Sequence, residues 1–187
     1  MTNSGEVIHN PVTGMTVTII KTAADTEGRE TVIEYSLPPF AGRKATTPHR
    51  HRRYTERFEI LAGRAGYVSG SREEAADVGD VIEVPRETTH VHPWSISDEP
   101  LRVRQTTEAI TPDEPGLSAA LEAVKTNFAL AQAGKVDADG RPSLLQAAML
   151  LDALLPDAYL AGIPLAAQRV IFGGLAALGR LRGYRPA

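Results

Sequence analysis

The chain contains no cysteine. Disulfides, thiolate metal sites and cysteine nucleophiles are therefore excluded. It also lacks any apolar run long enough to span a bilayer. Met1 to Asn10 is polar, without the basic and then apolar segments of a secretory leader, so a cytoplasmic location is expected. Nor does one sign of charge prevail. Twenty Lys and Arg stand against 23 Asp and Glu, a net charge of −3 spread along the chain. That balance gives no reason to expect nucleic acid or an anionic membrane as a partner. No glycine-rich phosphate loop, Gly-x-Ser-x-Gly elbow or internal repeat is visible. The length, 187 residues, suffices for one good core or a core with an appendage.

What the chain does have is the run Pro48-His49-Arg50-His51-Arg52-Arg53-Tyr54-Thr55-Glu56, answered later by His90. His49 and His51 are two apart, so on a strand both imidazoles leave one face. Two neutral nitrogens aimed at one point, with a carboxylate near, suit a first-row transition ion. The step from His51 to Glu56 is odd, so a turn or bulge over Arg52 to Thr55 is needed for Glu56 to join them. Beyond it, Glu56, Phe58 and Ile60 alternate with Arg57 and Glu59, as on a fresh strand with one face inward, and Gly63 ends the run. Taken singly, each residue has a plainer reading. A strand histidine is usually hydrogen-bonded or exposed, and Glu56 could pair with Arg53 or Arg57. Those readings must also account for His90, placed just after the strand and turn Gly79-Asp80-Val81-Ile82-Glu83-Val84-Pro85. A metal site within a β-barrel explains all of them together.

The stretch His49-x-His51-x4-Glu56-x6-Gly63 resembles the first cupin motif, and Gly79-x5-Pro85 followed by His90 resembles the second. The resemblance implies a mainly β fold, an antiparallel jelly-roll barrel (a double-stranded β-helix), with one metal ion inside. It would make His49, His51, Glu56 and His90 the ligands of one divalent transition ion: Fe, Mn, Ni, Zn or Cu. Three departures from the pattern stand out. The upstream glycine, Gly42, lies one residue further away than usual, Glu87 stands where glycine is normal, and Trp94 replaces an asparagine.

Strand parity proposes the pocket around the ion. His92 shares the inward parity of His90 and Trp94, and reads as a catalytic proton donor or acceptor beside the ion rather than a fifth ligand. Tyr35 on Glu30 to Leu37, Trp94, and Gln105 on Leu101 to Ala109 are expected to line a substrate pocket, although Tyr35 also fits ordinary core packing. Arg50 and Arg57 point away by parity, and only Arg53 has a direction that the turn leaves open.

Short strands are expected at Met15 to Lys21, Glu30 to Leu37, Ala65 to Val68, Ala75 to Val78, Val81 to Val84, His90 to Ile96 and Leu101 to Ala109, with Val7-Ile8 pairing along an edge. Gly70 to Glu74 reads as a turn. The grammar changes at Thr111-Pro112. Residues 1–112 are expected to form the barrel, and 113–187 a helical extension of about three helices, packed on the barrel or on a dimer partner. Leu117, Leu121, Val124 and Phe128 recur at helical spacing up to about Gly134. Ser143 can cap a second helix, Leu144 to Leu155, that is apolar nearly all round and ends at Pro156. A third, Leu165 to about Gly183, begins after Pro164 and ends on Arg180, Arg182 and Arg185.

Three imidazoles and a carboxylate leave a divalent ion positions for a small oxygenated organic molecule, held by chelation of an enol, diketone or carboxylate. The reaction expected first is dioxygenase-like oxidoreduction, with isomerase or cyclase chemistry also open to the same centre. The alternative is a non-catalytic small-molecule binding or sensor cupin. A small-molecule ligand and a homodimer are the expected partners, without nucleic acid and without a membrane span.

Overall fold

The β-branched and alternating segments assemble into two antiparallel sheets in the computed structural model, which describes residues 2–184. The first sheet contains β1 (Val7–His9), β2 (Thr16–Lys21), β3 (Glu30–Leu37), β5 (Tyr54–Ala62), β8 (Val81–Val84) and β10 (Leu101–Ala109), in the order β1-β2-β3-β10-β5-β8. The second contains β4 (His49–His51), β6 (Ala65–Ser69), β7 (Arg72–Ala76), β9 (His90–Ser95) and β11 (Ala158–Leu160), in the order β11-β4-β9-β6-β7. Non-sequential neighbours in both orders show the chain crossing repeatedly between sheets, as in a jelly roll. Alternation sorts the side chains: Val17, Ile19, Ile33, Phe58, Ile60, Leu101 and Val103 fill the interior, while Arg57, Arg102 and Arg104 face out.

Most strand expectations hold to within a residue, and two do not. The expected strand at Ala75 to Val78 lies instead at Arg72–Ala76, within the supposed turn. Ser69 pairs with Arg72, so the hairpin turns on Gly70 and Ser71 alone, and Gly70 supplies the positive φ of 64° such a tight turn needs. The strand's charged, exposed face gave no alternation to read. β11 was not foreseen at all, because three residues between two prolines look like a connection.

The extension carries α1 (Glu114–Gln132), α2 (Leu144–Leu154) and α3 (Leu165–Leu181). The Asp113 carboxylate caps α1 by accepting from Gly116 N–H at 3.3 Å. Leu121 and Phe128 of α1 belong to the same buried cluster as the barrel interior, so this helix closes the core. The apolar α2 contacts α1, α3 and β11 but buries only Gln146, Ala148 and Met149, leaves Leu144 exposed, and receives no side-chain cap from Ser143. Met149 packs on Gly179 of α3, where an added Cβ would come within 2.9 Å of its sulfur. The third helix packs on α2 and β11, and leaves Val170, Ile171, Leu178 and Leu181 exposed. Arg185 lies outside the described residues. Among these residues no helix is long and apolar enough to cross a membrane.

Candidate metal centre

His49 and His51 project together from β4, as their spacing of two requires. Arg52 and Arg53 then carry the chain from the second sheet to the first, where β5 begins at Tyr54. This crossing, rather than a bulge in one strand, brings Glu56 to the histidines: the two faces confront each other across the barrel. His90 arrives on β9, opposite His49 in the register. His49, His51, Glu56, His90 and His92 each offer a donor atom, all within 4.8 Å of one another. This cluster can hold a metal ion.

The hydrogen bonds aim the donors. His49 Nδ1 lies 2.9 Å from the Thr47 carbonyl and His90 Nδ1 lies 3.0 Å from that of Thr88. Each Nδ1–H donating to a carbonyl leaves Nε2 as the ligating nitrogen. His90 Nε2 stands 2.8 Å from Glu56 Oε2, so both nitrogens of this ring face oxygen acceptors. A neutral imidazole has one N–H and can satisfy only one of them; a cation in the cluster resolves the conflict. His51 Nε2 and His92 Nε2 lie 3.4 Å from the same oxygen, and neither is hydrogen-bonded. Orphaned nitrogens in a buried polar cluster fit a metal site, since unmade bonds there are costly.

Glu56 is 4% exposed and is held from its other oxygen. Gln105 Nε2 donates to Oε1 at 2.8 Å and the Thr107 hydroxyl at 3.3 Å. Burial alone would raise the Glu56 pKa, but the His51 and His92 imidazoles hold it well below the usual carboxylate range. Burial, reinforced by repulsion from the neighbouring rings, keeps His49 well below the ordinary imidazole value. At His51 burial also acts downward, yet the Glu56 charge outweighs it and the net shift is upward. His92 is shifted down, mainly by burial.

The cluster opens on a cavity of about 480 Å3. Its barrel wall includes Val17, Ile33, Tyr35 and Gln105, and its roof is the tail: Ala119, Ala120 and Val124 of α1 with Leu150, Leu151 and Leu154 of α2. Tyr35 is buried and its hydroxyl donates to the Pro93 carbonyl at 3.1 Å. Burial, then the Glu56 charge, raises its pKa well above the usual phenol value. Tyr35, His92 and Gln105 thus face the cavity, and His92 also joins the donor cluster.

Trp94 does not line the cavity. Three residues of β6, Gly66 to Val68, match four of β9, Val91 to Trp94. The extra residue reverses the alternation after His92, which puts Pro93 on the cavity wall and Trp94 on the other face. There the indole covers Gly66, whose hypothetical Cβ would lie 2.7 Å from the ring, and the Arg43 guanidinium sits 4.3 Å above it. Pro93, having no N–H to give a ladder, is the signal in the sequence that parity would fail there. Glu87, in its glycine-like position, adopts a left-handed φ of 62°; its N–H donates to the His51 carbonyl at 2.7 Å. Thr107 was missed, although it shares the parity of Gln105.

No family model matches the chain, and no curated protein matches it. Solved structures resemble it in part. A predicted oxalate decarboxylase from Thermotoga maritima aligns over 58% of this chain and 98% of its own, at 16% identity and a TM-score of 0.48. The Schizosaccharomyces pombe Cnp3 cupin domain aligns over 66% and 75%, at 15% identity and 0.45. KdgF from Halomonas sp. aligns over 51% and 79%, at 17% identity and 0.41. The two crossed sheets, with the donors on β4, β5 and β9 where both motifs require them, settle the architecture. The fold is that of a cupin. Nothing about substrate or reaction passes from those neighbours to this chain.

Proposed function

We propose that this cupin is a metal-dependent enzyme, with one divalent transition ion held by His49, His51, Glu56 and His90 and a small oxygenated organic molecule bound beside it. The observation that carries the proposal is the cavity: a buried donor cluster opens directly onto about 480 Å3 of mainly apolar space. That volume suits a small organic ligand, and its few polar groups gather at the cluster. A bound ion supplies a Lewis acid for enol, diketone or carboxylate oxygens, and Fe, Mn, Ni or Cu adds redox chemistry that Zn lacks.

The protein's own groups do the rest. Aliphatic side chains of the barrel wall and roof bind the substrate's apolar body by excluding water. Gln105 and Thr107 fix the Glu56 carboxylate, and Tyr35 braces the irregular stretch of β9 at Pro93. His92 lines the cavity, and its Nε2, 3.4 Å from Glu56 Oε2 and without a hydrogen bond, is the group we assign to accept or give a proton at the substrate. Dioxygenase-like chemistry is the preferred reaction class, with isomerisation or cyclisation using the same parts.

Protein purified without a histidine tag should contain roughly one transition ion per chain. Loaded with Fe(II), it should consume oxygen or turn over some member of a panel of enediols, diketones and flavonol-like compounds. His92→Ala should slow that turnover and keep its metal; loss of the ion would make His92 a ligand instead. Tight binding without turnover under every ion would overturn the enzyme in favour of a binding or sensor protein. Absence of any bound metal from the native chain would overturn both.

A further inference from the structure

The strand that carries two of the four proposed ligands has little support from the barrel itself. β4 is three residues long, and its pairing with β9 is the single match of His49 with His90. Its other edge is covered by the tail. Ala158, Tyr159 and Leu160 of β11 lie opposite His51, Arg50 and His49. Main-chain bonds close both ends: Arg52 N–H donates to the Asp157 carbonyl at 2.9 Å, and Ala161 N–H to that of Pro48 at 2.9 Å.

Side chains reinforce the junction. The Arg53 guanidinium straddles Asp157 with Nε and Nη2 each 2.6 Å from a carboxylate oxygen, and Nη2 also lies 2.9 Å from Asp113 at the start of α1. Both carboxylates are largely buried, at 14% and 13% exposure, so this fork is less open to solvent than an ordinary surface pair. Behind β11 stands Gln168 of α3, fully buried. It accepts from Leu160 N–H at 3.0 Å and donates to the Leu160 and Ile163 carbonyls at 2.8 and 2.7 Å. Its amide occupies the outer edge of the strand, where no further strand pairs. The Tyr159 hydroxyl reaches Glu87, whose own N–H holds the His51 carbonyl.

We propose that Arg53, Asp157 and Gln168 are positioning residues for the metal centre: through β11 they hold β4 so that His49 and His51 stay aimed at the shared site. This inference rests on the metal-binding reading above. None of the three belongs to the donor cluster, so a merely structural role would lower stability without altering the site's affinity for an ion; the Asp157 charge also acts on His51, and the uncharged Gln168 separates positioning from that electrostatic effect.

The test uses the full chain with Zn(II) and Co(II) as probes, in the variants Asp157→Asn, Gln168→Ala and Arg53→Lys. Arg104→Ala, which removes an exposed ion pair with Glu34 on the first sheet, serves as the control. Metal affinity is measured by chelator competition, and amide exchange is followed at Arg50, His51 and Arg52 in metal-free protein. Asp157→Asn and Gln168→Ala should weaken affinity on the order of tenfold, the scale of outer contacts that orient metal-binding histidines. Arg53→Lys should fall between them and the control, since a lysine keeps the charge without the fork. Exchange at the three amides should quicken in proportion, and the Co(II) visible spectrum should shift. Affinity and exchange both matching the control, whatever the melting temperature, would overturn the proposal. If the native chain bound neither ion, the metal reading would fail separately, and the exchange rates at β4 would still decide the positioning claim. Should one variant fail to fold, the remaining two carry the same comparison.

Discussion

Gln105 offers the sharpest perturbation of the centre. Its amide donates to Glu56 Oε1 at 2.8 Å inside the barrel, with 9% of the residue exposed. Gln105→Leu keeps the approximate shape and removes the donor. The carboxylate would then retain only the Thr107 hydroxyl at 3.3 Å on that oxygen. A hydrogen bond to a charged group contributes roughly 1.5–3 kcal/mol. At about 1.4 kcal/mol for each factor of ten, metal affinity should fall by roughly 10- to 150-fold, provided Glu56 ligates through its other oxygen. Thr107→Val breaks a longer and weaker bond and should cost no more than about threefold on the same arithmetic.

The order of the two effects is therefore the test, more than either value. Competition with a chromophoric chelator at neutral pH gives both affinities, and denaturant melts of the metal-free variants report damage to the fold. A Gln105→Leu variant that binds metal as tightly as the native chain, or a Thr107→Val variant that binds more weakly than it, would show that Glu56 is not oriented from β10. The reasoning about the centre would then have to start from another residue.

Two further outcomes follow from the same geometry. Protons compete with the ion for the imidazoles, so occupancy should fall as pH falls. In the metal-free site His51, raised by the Glu56 charge, takes up its proton before His49, which burial holds low. Apparent metal affinity should therefore begin to weaken at or above the ordinary imidazole value, with occupancy lost at lower pH, and an affinity unchanged down into the carboxylate range would refute it. Phe128→Ala, at a residue 5% exposed in the main core cluster, should remove roughly 3–5 kcal/mol of stability in a denaturant melt. A loss below about 1 kcal/mol would mean that α1 is not part of the barrel's core.

Much of the barrel and nearly all of the donor cluster could be read from residues. Period-two alternation placed Glu56, Phe58 and Ile60 inward, and the spacing of two placed His49 with His51. Where parity was continued through an irregularity it failed. The extra residue at Pro93 turned Trp94 out of the cavity. The turn expected over Arg52 to Thr55 is there, as the Arg52-Arg53 crossing between sheets. Local patterns carry no information about which partner a strand will meet, so β11 stayed hidden although its flanking prolines were plain. The apolar faces of α1 and α2 were legible as helical stripes, but their roles were not. Leu117 goes to packing, Ala119, Ala120 and Leu151 line the cavity, and Phe128 does both.

That division bears on whether residues 113–187 are separable from residues 1–112. Three features join the parts, each by different physics. The apolar contact of Leu121 and Phe128 with barrel side chains removes surface from water on both sides at once. The Arg53 fork to Asp113 and Asp157 links charge across the boundary, and β11 satisfies main-chain groups of β4. A barrel cut after Pro112 would expose the first, strand an arginine by the second, and leave β4 with one paired neighbour. The third consequence reaches chemistry soonest, because the unpaired strand is the one that presents His49 and His51. We therefore expect the tail to matter at the metal before it matters to the barrel, as the roof of the cavity and as the edge that steadies its ligands.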